Sequence, residues 1–339
     1  MGVESRLLSR AHSALHLRCD EARIPVEPVR LMRPWYPPAV LTVWRRSRQA
    51  TIVHAHDSHA AALAAVLRAL RPGLAIVCHR RVAFPPRAVL AERWKYRRID
   101  SWIAVSTEIA AKLRDAGGLN VRVVPSAIDI GTIHRRDRQR SAELLRSELD
   151  ISPSSQVVGL VGALDPQKGH AALVAAAPRI LARVPETVFL CVGEGRLSSR
   201  LRRQIHRAGL DGTFRLTGFR RDVLALMGLC TVVIAPSLEG EGSSAVLKEA
   251  MAIGIPVIAS ELAGNLEVLD GAGVAVPPHD SDALADAVIS LIGDRDRRVE
   301  LAQRGRERSG LWAPQTMAAR VLAAYGDLGG LDIPRTGAV

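Results

Sequence analysis

Short apolar runs, separated by polar segments with helical periodicity, recur along most of the chain. Residues 51–54, 75–78, 101–105, 121–124, 157–161, 187–192, 213–216, 231–235 and 257–259 are rich in Val, Ile and Leu. Continuous rather than alternating apolar runs predict strands buried on both faces, as in parallel sheets. Between them, apolar spacing of three and four residues predicts helices over 60–70, 108–116, 170–182, 196–208, 222–229 and 245–253. This alternation predicts an α/β fold with parallel sheets.

The pattern breaks at residues 132–150 (TIHRRDRQRSAELLRSELD), which are charged and carry no strand signal. A fresh strand follows at Val157. The break predicts two Rossmann-like domains, over 1–150 and 151–311. A last helix is expected over 314–328, within a closing segment 312–328, and a frayed tail over 329–339. Residues 1–20 show neither an apolar strand nor a glycine-rich turn, so the first domain reads as incomplete at its start; residues 26–31 are the first strand candidate.

Composition narrows the class. The chain is 48% hydrophobic and 24% charged, a globular profile. No apolar run approaches the ~18 residues that span a bilayer. The N-terminus lacks the apolar core of a secretory signal. The cysteines (Cys19, Cys78, Cys191, Cys230) form no CxxC pair, which suits a reduced, cytoplasmic compartment and argues against a zinc cluster. Net charge is +12, and only Lys95, Lys112, Lys168 and Lys248 of the 46 basic residues are lysine. Such a surface meets anions. Residues 80–98 interleave basic and aromatic side chains; Trp94 and Tyr96 among them suit an anionic membrane surface. No DNA- or RNA-binding motif accompanies them, so nucleic acid is not an expected partner.

Four constellations carry candidate chemistry. Residues 237–261 (SLEGEGSSAVLKEAMAIGIPVIASE) follow a strand and open a helix. Gly240, Gly242 and Ala245 satisfy GxGxxA, with Glu261 placed as a ribose-binding acid, which a nicotinamide-dependent oxidoreductase would use. The same stretch has Glu241 and Glu249 with seven residues between them. A loop acid accepts hydrogen bonds from sugar hydroxyls, a helix acid holds a ribose diol, and the N–H groups of Gly242, Ser243 and Ser244 suit a diphosphate. Its plain alternative is a helix cap by Ser243 or Ser244, with Glu249 solvated. Glu239 competes with Glu241 for the first acidic place.

Lys168 and Gly169 sit in a strand-to-helix loop after Gly162; a lysine there meets a phosphate as a point charge, or is simply a surface lysine. Residues 52–63 (IVHAHDSHAAAL) carry His54, His56, Asp57 and His59, whose readings are a metal site, a helix cap by Asp57 or Ser58, or polar groups lining a ligand site. No matching His/Asp cluster follows downstream, so no metal is expected. His79, Arg80 and Arg81 follow the strand 75–78 and suit a sugar or phosphate, or form a basic solvent-facing loop.

Together these segments resemble the retaining glycosyltransferases of family 4. EGSSAVLKEAMAIGIPVIAS is similar to that family's pair of glutamates with seven residues between them, VGLVGALDPQKG to the opening of its C-terminal domain, and CVGEGRLSSRLRRQIHRAGLDGTFRLTGFRRDVLALM to its next two units. IAVSTEIAAKL and VVPSAID resemble the end of its N-terminal domain, with Ala127 where Gly is usual, and residues 269–292 its closing helix pair. The resemblance implies a GT-B fold: two Rossmann-like parallel-sheet domains facing each other across a cleft, with the last helix crossing back to the N-terminal domain. It implies transfer of a sugar from a nucleotide-diphosphate donor to a glycan or lipid-linked acceptor with retention, without metal or other cofactor, in cell-envelope polysaccharide or glycolipid synthesis. The enzyme would be cytoplasmic and peripheral at the inner membrane face.

Carried over by position, Glu241 would hold donor-sugar hydroxyls, Glu249 the nucleotide ribose, and Lys168 the diphosphate. Gly162, Gly242, Ser243 and Ser244 would line the donor, Arg220 the base. His79 would approach the reacting sugar, with His56, Ser58 and Arg80 on the acceptor side. Two departures stand out. Ala163 replaces a usual Arg, and the family's opening strand and Gly-Gly loop are missing before Met1, which also implies an alternative: a sugar-nucleotide or glycan-binding protein without catalysis.

Overall fold

The computed structural model describes residues 4–29, 36–82, 94–129, 131 and 141–328. Two compact units emerge. One comprises the described residues up to Arg81, those of 94–124 and those of 319–328; the other comprises Val82 together with the described residues of Pro125–Ala318.

The second unit is built on β7 (Gln156–Val161), β8 (Thr187–Val192), β9 (Phe214–Leu216), β10 (Val232–Ala235), β11 (Val257–Ser260) and β12 (Val274–Val276). All run parallel in the order β12-β11-β10-β7-β8-β9. The continuous apolar runs are explained by burial on both faces. In β8, Val188, Leu190 and Val192 enter one core, while Phe189 and Cys191 enter the other. In β7, Val157 faces the first and Val158 and Leu160 the second. The strand order reverses between β7 and β10, which places a topological switch point at their carboxyl ends, where ligands bind in open α/β sheets.

The first unit carries a parallel sheet of β3 (Ile52–Ala55), β4 (Ala75–Arg80), β5 (Ser101–Ala104) and β6 (Val121–Val123), and a separate parallel pair of β1 (Leu7–Arg10) and β2 (Val26–Val29). Its helices include Ser58–Leu70 and Thr107–Asp115, the former capped by Asp57 Oδ1, which accepts from Ala60 N at 2.8 Å.

Several expectations are corrected. Residues 1–20 do hold a strand, β1, and a helix at Ala14–Glu21. Ser9 is buried and bonds His16 Nδ1 at 3.0 Å, so a polar residue occupies a core-facing place and hides the pattern. β12 and the helices Pro37–Arg46, Ala263–Leu269 and Arg295–Ser309 were also not predicted. The boundary expected at 150 falls at Val124/Pro125. The helix Ala142–Glu148 lies within the charged stretch, and its buried Leu145 joins Ile151 and Val157 in the second unit's core. Helix Pro314–Gly326 spans the other boundary, at Ala318/Ala319. Residues 132–140 and the tail 329–339 lie outside the described residues.

Candidate functional site

Two loops meet at the switch point. After β7, the chain turns through a 3-10 segment at Pro166–Lys168 and enters the helix α1 (His170–Arg183) at Gly169. After β10 it passes through Pro236–Ser244 into helix α2 (Ala245–Ile253). Leu238 N donates to Gln167 O at 2.8 Å and pins the loops together. Gly169 makes the approach possible. It sits at φ +73°, and a Cβ there would overlap the Pro236 carbonyl. Only glycine satisfies both demands without strain.

The result is a direct ion pair between Lys168 Nζ and Glu241 Oε1, whose side chains are 73 residues apart in sequence. Ser237 Oγ donates to the same Glu241 oxygen at 3.0 Å. Glu239, the rival acid, is exposed, whereas Glu241 is half-buried.

Ser244 occupies the N-cap position of α2, but its side chain makes no capping bond, and the Ser243 hydroxyl accepts from Lys248 instead. The N–H groups of Gly242, Ser243 and Ser244 find no acceptor among the described residues. They stand at the positive end of a helix, a ready anion site. Glu249, in the second turn of α2, is half-buried and is not the cap. Burial raises its pKa above the usual carboxylate value, and it has no hydrogen bond or ion pair among the described residues. Gly264 supports the loop from beneath: a Cβ there would come within 2.6 Å of Gly242 O and closer still to Glu241 O.

Arg220 is placed differently from expectation. Its guanidinium is spent on Asp222 (2.8 and 2.7 Å) and on Glu148 (2.6 Å), tying the helix Ala142–Glu148 to the turn after β9. Its exposed neighbour is Phe219.

The first unit brings His54, His56 and His79 together at the carboxyl ends of β3 and β4. One ring nitrogen of each lies within 4.8 Å of the others. The rings stack: His54 on His56 at 4.2 Å, and on His79 at 5.8 Å with only 12° between planes. A coordinated ion lies in the plane of each imidazole, so a common ion requires these rings to turn. His54 Nδ1 meets Tyr325 Oη at 2.6 Å. Burial lowers the pKa of His54 to about 2 and of His79 to about 3. Both ring nitrogens of His79 are buried without a hydrogen-bond partner among the described residues, and the residue is 2% exposed. Ser58 begins the helix Ser58–Leu70 and accepts from Lys95 Nζ at 3.4 Å; Arg80 donates to Tyr96 Oη at 3.1 Å.

The basic-aromatic segment is corrected by the same contacts. Tyr96 is buried and stacks on Trp102 at 4.6 Å, and Lys95 is buried too. Tyr96 is a core residue and does not face a membrane. Residues 83–93, including Arg93, lie outside the described residues. Sequence reasoning missed Ser237, Gly264 and Lys248 as parts of the loop assembly. Lysine scarcity was the available signal: Lys168 and Lys248 both lie there in a chain with only four.

The parallel sheet of the second unit, with its switch point between β7 and β10, places the chain in the GT-B class of α/β folds. Residues 1–132 match Glycosyltransferase Family 4 and residues 155–294 match Glycosyl transferases group 1. The chain belongs to this family of glycosyltransferases. It is 33% identical to a phosphatidyl-myo-inositol mannosyltransferase of Mycolicibacterium smegmatis over 70% of its length and 60% of the relative's. It is 32% identical to a GDP-mannose-dependent alpha-(1-6)-phosphatidylinositol monomannoside mannosyltransferase of Mycobacterium tuberculosis, over 60% and 54%. The matched stretches thus span about half to three-fifths of these relatives. Among solved structures, Anabaena Alr3699/HepE in complex with UDP superposes with a TM-score of 0.84 at 23% identity, covering 95% of this chain and 92% of that one. That likeness establishes the fold.

Proposed function

We propose that the protein transfers a hexose from a nucleotide-diphosphate donor to a glycan or lipid-linked acceptor with retention of configuration, in the synthesis of envelope glycolipid or polysaccharide. The observation that carries this reading is the pairing of Lys168 with Glu241 beside the unspent N–H groups of Gly242–Ser244. The diphosphate accepts from those N–H groups and displaces Glu241 from Lys168. Lys168 then offsets the charge that grows on the departing phosphate. Freed, Glu241 accepts hydrogen bonds from donor-sugar hydroxyls, oriented by Ser237. Glu249 accepts from the ribose diol, which relieves the cost of its burial. No metal or cofactor enters this scheme.

Relatives named for GDP-mannose and phosphatidylinositol substrates support a glycolipid acceptor and make GDP-mannose the first donor to test. A structural neighbour named for its UDP complex makes UDP-glucose the second. Action at an anionic membrane is supported by the net charge of +12 and by Leu15, Leu17 and Ile24, all about half exposed beside Arg18 and Arg23. Among the described residues no helix is long and apolar enough to cross a membrane.

One observation favours a second reading, sugar-nucleotide binding without transfer. His79, expected at the reacting sugar, is 2% exposed. Calorimetry with GDP-mannose and UDP-glucose, followed by a transfer assay on phosphatidylinositol acceptors, separates the two. Failure of both donors to bind refutes both readings; binding without transfer or donor hydrolysis refutes the first.

A further inference from the structure

Lys248 belongs to none of the roles assigned above, yet it is the most completely buried cation among the described residues, at 0% exposure. It lies in α2, one residue before Glu249. Its Nζ donates to the Ser126 carbonyl at 2.8 Å and to the Ser243 hydroxyl at 2.5 Å. It also stands 5.5 Å from the centre of the Trp312 ring. No carboxylate lies within ion-pair distance among the described residues. Burying an ammonium without a carboxylate is costly, and apolar residues fill such a place more stably. The groups it holds give the reason to ask what it does.

Those groups come from three segments. Ser243 is in the donor loop, one of the residues whose N–H faces the diphosphate in the reading proposed above. Ser126 is two residues past Val124, where the chain enters the second unit. Trp312 lies in the 3-10 turn Gly310–Trp312, a few residues before Ala318, where the chain leaves it. The entering and leaving segments are themselves joined. Ile128 N donates to Trp312 O at 2.9 Å, and Ala127 N lies 3.2 Å from Met317 Sδ. A single ammonium thus connects the donor loop to both segments through which the chain passes between its units.

We infer that Lys248 is a positioning residue that couples occupancy of the donor loop at Ser243 to the two connecting segments at Ser126 and Trp312. A ligand that engages the Ser243 N–H moves the Ser243 hydroxyl, and the ammonium, whose other partners lie on the connecting segments, follows. Lys suits this place because its ammonium donates in three directions from a point. The planar guanidinium of arginine, supplied almost everywhere else in this chain, cannot serve the same three partners.

The inference rests on the donor-loop reading, and the test separates the two. UDP and GDP are titrated into the full chain, with calorimetry for affinity and tryptophan fluorescence for the environment of Trp312, the latter identified by difference from a Trp312→Phe variant. In the wild type, binding is expected with a fluorescence change that Trp312→Phe abolishes. Lys248→Met keeps the side-chain stem and loses the ammonium; it is expected to weaken nucleotide affinity about tenfold and to abolish the Trp312 signal even at saturation. Ser243→Ala breaks the link from the other side and serves where Lys248→Met does not fold. It is expected to lose the signal as well, and the two losses of affinity are expected to be non-additive in the double variant. A folded Lys248→Met, or failing that Ser243→Ala, with the full Trp312 signal overturns the coupling. A wild type that binds neither nucleotide overturns the donor-loop reading on which it rests.

Discussion

Acid should unfold this protein from its histidines, beginning with the first unit. His54 and His79 are neutral when folded because burial holds their pKa values at about 2 and about 3. In the unfolded chain each returns to about 6.5. Between these limits the unfolded state binds more protons, so stability is complete above pH 6.5 and falls as the pH drops through the window. At pH 5 each histidine is about 1.5 units below its unfolded pKa, which costs about 2 kcal/mol apiece, or about 4 kcal/mol for the pair. That is a large share of the roughly 5–15 kcal/mol by which a domain is stable. Urea denaturation of the wild type at pH 7.5 and pH 5.0 measures it. With a slope near 2 kcal/mol per molar, these two residues lower the midpoint by about 2 M, and His170, buried in the second unit with its pKa lowered to about 4, adds to the fall. In a His54→Gln variant, compared with itself at the two pH values, about 1 M of the fall should disappear. An unchanged wild-type midpoint, or a variant with the same fall, would show that the imidazoles are solvated or already charged in the folded protein.

Three further outcomes are expected. Gly169→Ala puts a Cβ into the Pro236 carbonyl at a left-handed position, so nucleotide affinity should fall at least a hundredfold as the loops part, with a stability loss of about 1–3 kcal/mol measured by thermal melting. Lys248 has its pKa lowered by burial to about 8, only partly opposed by Glu267, so the unfolded chain binds the extra proton between pH 8 and 10.5. Stability should therefore rise across that window by up to about 3 kcal/mol, and a Lys248→Met protein should show no such rise in urea midpoints. Asp280→Ala removes the cap that accepts from Ala283 N at 2.8 Å, and should cost about 1 kcal/mol of stability without changing nucleotide binding.

The strands of the second unit were legible because their burial is two-sided. Val157–Val161 and Thr187–Val192 need no alternation, and the apolar run survives intact. β1 was not legible, because Ser9 occupies a buried place and finds its partner, His16, seven residues on. At the site, the spacing of Glu241 and Glu249 located the acidic loop, and the glycine beside Lys168 located its partner. Their contact was not legible in the sequence: it depends on the strand order, which brings β10 next to β7 although two strands lie between them in sequence. Arg220 illustrates the reverse. The family resemblance put it near the base, while the structure pairs its guanidinium with Glu148, in a stretch that reads as charged and without a strand.

The return of the chain from Ala319 to the first unit has a consequence for biosynthesis. His54 waits for Tyr325, 271 residues later, and Arg122 for Asp327. A ribosome has released every strand of the first unit long before either partner exists. The sheet of the second unit lies entirely within Pro125–Ala318, so all of it is in hand before the last helix is complete. A gene cut at Val124 encodes the first unit without its 319–328 segment, and so without the partners of His54 and Arg122.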